Sequence, residues 1–105
     1  MQAASPEAEI ARQVKAVEWL KAELLVELGK AYRGAASGNR DEMLDGLANC
    51  QVLLSILARR LGIDLQTLDE AVDAKLAAHQ QQGHSLERWF GDFTAVRQHR
   101  RGAKR

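Results

Sequence analysis

Two groups of oxygen-bearing side chains are spaced for chemistry. Glu23 and Glu27 stand four residues apart, so on a helix they share one side. Glu42, Asp45 and Asn49 recur at steps of three and four and fall along one edge of a second helix. Oxygen ligands facing each other across paired helices can hold Mg²⁺, a hard cation that keeps part of its water. Such an ion neutralises phosphate charge and activates a water. The same pattern also describes a solvated face, with Lys21, Lys30 and Arg33 as counter-charges. Other chemistries lack their residues. The chain has no Gly-rich phosphate loop, CxxC pair, HExxH or GxSxG. His79, His84 and His99 have no carboxylate at the Glu-x-x-His spacing of di-iron bundles and read as surface or loop histidines. Cys50 lies in an apolar stripe and reads as a small core residue rather than a nucleophile.

The elements that must position these groups are helices. Ser5-Pro6 is a start signal, a cap residue followed by proline at the first helical position, and Glu7 and Glu9 suit the positive end of the dipole. The first helix runs to about Tyr32. Its expected buried stripe is Ile10, Val14, Val17, Leu24, Leu28 and Ala31, with Trp19, Leu20 and Leu25 beside it. Gly34 to Asn39 is a break rich in small residues. Asn39 and Glu42 then resemble a capping box. The second helix follows, with Met43, Leu47, Cys50, Leu54, Leu57 and Leu61 on one face. Leu44, Val52, Leu53 and Ile56 make it apolar on other faces too, so something must surround it. Gly62 ends it. Asp64 caps a third helix over Leu65–Gln82, with Leu65, Leu68, Val72 and Leu76 as its stripe. Ser85 caps a shorter fourth that Gly91 weakens.

The expected fold is all-α: an antiparallel helical hairpin, a third helix packed against it and a short fourth helix. One hairpin cannot enclose its second helix, so two copies are expected to dimerise into a four-helix bundle. Residues 1–5 read as a disordered N-terminus, 6–96 as a single domain and 97–105 as a frayed basic C-terminal tail.

Composition supports that outline. The 105 residues suffice for one core, 46% of them are hydrophobic, and only 5% are aromatic, so the core must be aliphatic. No apolar run reaches transmembrane length, and the first residues lack the layout of a secretory signal. A lone cysteine excludes an internal disulfide. A cytoplasmic location is therefore expected. Net charge is +1, but residues 1–87 carry −4 and residues 88–105 carry +5. Arg97, His99, Arg100, Arg101, Lys104 and Arg105 could make nonspecific phosphate contacts with nucleic acid, or meet an acidic partner. No recognition-helix motif accompanies them.

One longer stretch goes further. The run LVELGKAYRGAASGNRDEMLDGLANCQVLLSILARRLGIDLQTLDEAVDAKLAAH resembles the MazG-like group of all-α nucleoside triphosphate pyrophosphohydrolases. The similarity spans roughly Leu20 to Gln82, and its most specific part is the second helix, the LGIDL turn and a third helix ending in AKL. The resemblance implies hydrolysis of a nucleoside triphosphate to the monophosphate and pyrophosphate. It also implies Mg²⁺ held by Glu-x-x-Glu on the first helix and Glu-x-x-Asp on the second, and dimers or tetramers of hairpins.

Carried over residue by residue, the first motif falls on Glu27 and Lys30, the second on Gly46 and Asn49. Three of four metal-binding acids are replaced. Glu27 and Asn49 at motif positions, with Asp45 from the spacing along the second helix, are the candidates for the metal; Lys75, which matches a lysine of the group's third helix, and Lys30, a point charge beside Glu27, are the candidates for the phosphates. His79 and Gln82 stand where the group has Asn and Arg. Shifted acids do not restore the motif within one hairpin. Glu23 moves away from the loop while Glu42 and Asp45 move toward it, a separation of about 11 Å. A neighbouring subunit could still supply acids. The expected function is a pyrophosphohydrolase-related protein with weak or lost catalysis, using Mg²⁺ if active. The alternative is a non-catalytic binding or regulatory protein.

Overall fold

The structure is a computed structural model and describes residues 5–103. The expectation of disorder over residues 1–4 lies outside the described residues. The described chain is all-helical and divides into two compact units, residues 1–65 and 66–105. The first holds α1 (Pro6–Ser37) and α2 (Arg40–Arg60). The second holds α3 (Leu65–Gln81), which begins at the boundary, α4 (Ser85–Phe90) and α5 (Asp92–Ala103).

In the first unit, Ser5 Oγ accepts from the Ala8 amide at 3.2 Å and Pro6 opens α1, as the start signal requires. The expected break at Gly34 is too early. Gly34, Ala35, Ala36 and Ser37 remain helical, and the turn is confined to Gly38 and Asn39. Gly38 adopts φ 72°, which a residue without Cβ tolerates, and its amide closes back on the Gly34 carbonyl. Asn39 Oδ1 accepts from the Glu42 amide at 3.1 Å. The Glu42 carboxylate goes to Arg33 instead of completing the box.

Cross-helix partners fix the topology. Arg33 meets Glu42, Lys30 meets Asp45 and Glu27 meets Asn49, while Gln13 near the start of α1 donates to the Arg60 carbonyl at the end of α2. As one number falls the other rises, so α1 and α2 are antiparallel.

Of the stripes that hydrophobic periodicity selects on α1 and α2, only Ala31 belongs to the buried core of this hairpin. Its buried side chains are Leu20, Ala31, Leu53 and Ala58, together with Gly34 and Gly46. Val14, Leu47 and Leu54, all expected inside, are 57%, 50% and 49% exposed. The reason lies in how closely the helices approach. A Cβ on Gly46 would lie 2.7 Å from both the Ala31 nitrogen and the Glu27 carbonyl oxygen. One on Gly34 would lie 2.5 Å from the Met43 nitrogen. Backbone packs on backbone at these points, and the bulky leucine stripes flank the seam. Burying Leu20 and Leu53 contributes about 2 kcal/mol each.

The second unit is built differently, with no buried residue in α3, α4 or α5. The expected fourth helix is two helices, because Gly91 adopts φ 67° and breaks it. His84, not Ser85, caps α4: its Nδ1 accepts from the Leu86 amide at 3.1 Å. The basic segment is helical through Ala103 rather than frayed. Arg100 explains this: its Nε donates to the Asp73 carboxylate at 2.7 Å, and a further nitrogen lies 3.6 Å from Asp69. Gln80 donates to Thr94 Oγ1 at 2.7 Å and accepts from Arg97. Phe93 stacks on His79 with centroids 5.0 Å apart and meets His84 edge-on at 5.1 Å.

No helix among the described residues is long and apolar enough to cross a membrane.

Candidate functional site

The α1–α2 seam brings Glu27, Lys30, Asp45 and Asn49 into one network. Periodicity on α1 turns Glu27 and Lys30 toward α2, and close approach at Gly46 draws Asp45 and Asn49 up to them. Asn49 Nδ2 donates to Glu27 Oε2 at 3.0 Å and lies 3.4 Å from Asp45 Oδ2. Lys30 Nζ bonds to Asp45 Oδ2 and stands 4.0 Å from Glu27 Oε2. The Glu27 side chain is the most enclosed of the three charges, 15% exposed against 33% for Lys30 and 55% for Asp45. The hydrogen bond to Asp45 raises the Lys30 pKa above its ordinary value, helped by the charges of Asp45, Glu27 and Glu42 and opposed by partial burial. One turn toward the loop, Arg33 and Glu42 pair at 3.5 Å.

This donor set does not fit Mg²⁺. Such an ion needs several oxygen ligands at about 2.1 Å. Here the carboxylates of Glu27 and Asp45 are met by N–H donors, the Asn49 amide and the Lys30 ammonium. The positive charge that a metal would bring is already supplied by a side chain. Among the described residues, no group of three or more His, Cys, Asp or Glu is arranged to hold a metal ion.

Beside this network lies a shallow cleft of about 340 Å³, lined by Trp19, Glu23, Glu27, Asn49, Val52 and Leu53. Glu23 therefore belongs to the site through the cleft and not through the ion pairs. Trp19, Val52 and Leu53 are site residues that an eye for acids misses. The signal was present: Trp19, Glu23 and Glu27 recur every four residues and form one stripe. Lys75 sits exposed on α3, in the other unit.

Fold and site together define an all-α protein whose antiparallel hairpin carries a cross-helix polar ladder. The model of the MazG-like family matches residues 10–93, so the chain belongs to that family. No curated protein and no solved structure matches it. The match covers the α1–α2 hairpin, α3 and α4, and stops at the start of α5.

Proposed function

We propose that this chain is a MazG-like protein related to nucleoside triphosphate pyrophosphohydrolases, in which hydrolysis is weak or lost and the hairpin serves binding or regulation. One observation carries this reading. Gly46, which takes the place of the first acid of the second motif, has no room for any side chain, because the α1 backbone at Glu27 and Ala31 lies against it. Lys30 and Asn49, at two further motif positions, each hold one oxygen of the remaining carboxylates, Asp45 Oδ2 and Glu27 Oε2. The site is then a polar seam, one ammonium and one amide against two carboxylates, that needs no metal to hold it together.

The test is pyrophosphate release from a panel of NTPs and dNTPs with Mg²⁺ or Mn²⁺. The expected result is no turnover above background. Robust turnover that disappears in Glu27→Ala overturns the reading.

A dimer of hairpins is part of the same reading. Val14, Leu28, Leu47 and Leu54 are apolar and exposed on a hairpin with few buried side chains, and a second copy would remove them from water. Light scattering at micromolar concentration is expected to give twice the chain mass. The alternative of a nucleic-acid-binding basic end is less favoured, because Arg97 and Arg100 are engaged by Gln80, Asp69 and Asp73.

A further inference from the structure

The cleft next to the polar seam has a chemistry of its own. Its polar lining is Glu23, Glu27 and Asn49, and none of its six lining residues is cationic. Asn49 spends its amide nitrogen on Glu27 and Asp45, so the group it can offer a ligand is its carbonyl oxygen, another acceptor. The remaining walls are apolar: Val52, Leu53 and the indole of Trp19, itself 59% exposed. An aromatic face beside carboxylates suits an organic cation, because the ring's negative face and the carboxylates attract the same charge. Apolar walls suit a carbon stem and do not suit a hydrated metal ion. A polyphosphate would meet two carboxylates and no free ammonium, since Lys30 is held by Asp45.

From this we infer that the Trp19–Glu23–Glu27 cleft binds a guanidinium or alkylammonium head carried on a short aliphatic stem. Glu23 and Glu27 take the charge, Trp19 covers the head or stem, and Val52 and Leu53 close the apolar side. Glu27 is held in place for this by Asn49. Carboxylates accept forked N–H donors from a planar guanidinium in pairs, so guanidinium should bind better than ammonium. The proposal stands whether or not the protein hydrolyses nucleotides.

The experiment follows Trp19 fluorescence in a Trp89→Phe background, with calorimetry in parallel, on the full chain. The probes are butylguanidine, butylamine, butyrate and Mg²⁺ alone. Butylguanidine is expected to bind saturably and to weaken with salt, butyrate not to bind, and Glu23→Gln to weaken the cation roughly ten-fold. Trp19→Leu, measured by calorimetry, should weaken it as well and serves as the second variant if Glu23→Gln does not fold. Glu70→Gln, on α3, should change nothing. N-acetylarginine amide separates two sources of the head. Equal binding points to an arginine side chain of a protein partner; binding of butylguanidine alone points to a free small molecule. Absence of saturable cation binding overturns the proposal, as does equal binding of butyrate, binding of Mg²⁺ in place of the cation, or cation binding indifferent to both variants.

Discussion

The two units of this chain solve the same problem by opposite means. In the hairpin, α1 and α2 approach until backbone meets backbone at Gly34 and Gly46, and the contact is made by atoms that cannot move away. In the second unit, no side chain of α3, α4 or α5 is buried, and long polar side chains reach across the gaps: Arg100 to Asp73, Arg97 to Gln80, Thr94 to Glu87. The first arrangement tolerates no added volume and the second tolerates it easily. The difference teaches where a site can be built on a fixed backbone frame. A polar network laid over a rigid backbone seam keeps its distances, and the Glu27–Lys30–Asp45–Asn49 cluster is such a network.

The comparison can be broken or sharpened by substitutions of decreasing effect. Gly46→Ala should cost about 2 kcal/mol of stability despite alanine's better helix propensity, because its Cβ has only backbone to push against. Urea unfolding measures it, and a neutral result would mean that the seam yields. Arg100→Met should cost less, about 1 kcal/mol, because its ion pairs are partly solvated and the stem still packs. Hydrogen exchange should show that loss in α5 and leave the hairpin protected. Gly29→Ala tests the hairpin away from the seam. There a Cβ meets only the end of the Arg33 side chain, at 3.8 Å, so propensity should win and stability rise by about 0.5–1 kcal/mol.

The smallest effects are electrostatic. Glu87 accepts from the Thr94 hydroxyl and amide, and these bonds hold its carboxyl below the usual range. The stability this contributes is complete above the unfolded carboxylate pKa and is lost as pH falls through the folded value. Lys30 titrates the other way: its pKa is raised, so its contribution is complete below the unfolded lysine pKa and is lost as pH rises through the folded one. Acid should therefore loosen α4–α5 first, and strong alkali the seam. Residue-resolved hydrogen exchange or NMR at the two extremes distinguishes the order.

Much of this was legible in the sequence. The Ser5 and Asn39 caps, the hairpin and the extent of α3 to within one residue all follow from local signals whose energies act within a turn or two. Glu27 and Asn49, which the resemblance placed at motif positions, hydrogen-bond to each other across the hairpin. What was not legible is the identity of the buried face. Periodicity weights large apolar groups and caught Ala31, whereas this interface also closes on Gly34, Gly46 and Ala58, residues that leave a faint mark on any hydrophobic pattern. The cleft was missed for a related reason: Trp19 read as a neighbour of the buried stripe, and only the groove it shares with Val52 and Leu53 shows what it stands next to. Gly91 read as weakening a single fourth helix where it in fact divides it, because a left-handed turn is decided by the packing on both sides of it and not by propensity alone.

Gly46 also constrains what this position can accept. A glutamate at that position would set its Cβ 2.7 Å from the α1 backbone at Glu27 and Ala31, so the helices would have to part before its carboxylate could reach a ligand, and the seam that orders Glu27 and Asn49 would be disturbed first. A single substitution here therefore cannot install a carboxylate while the two helices keep this crossing. The close approach acts as a lock: an acid at position 46 requires larger residues on both helices to hold them apart.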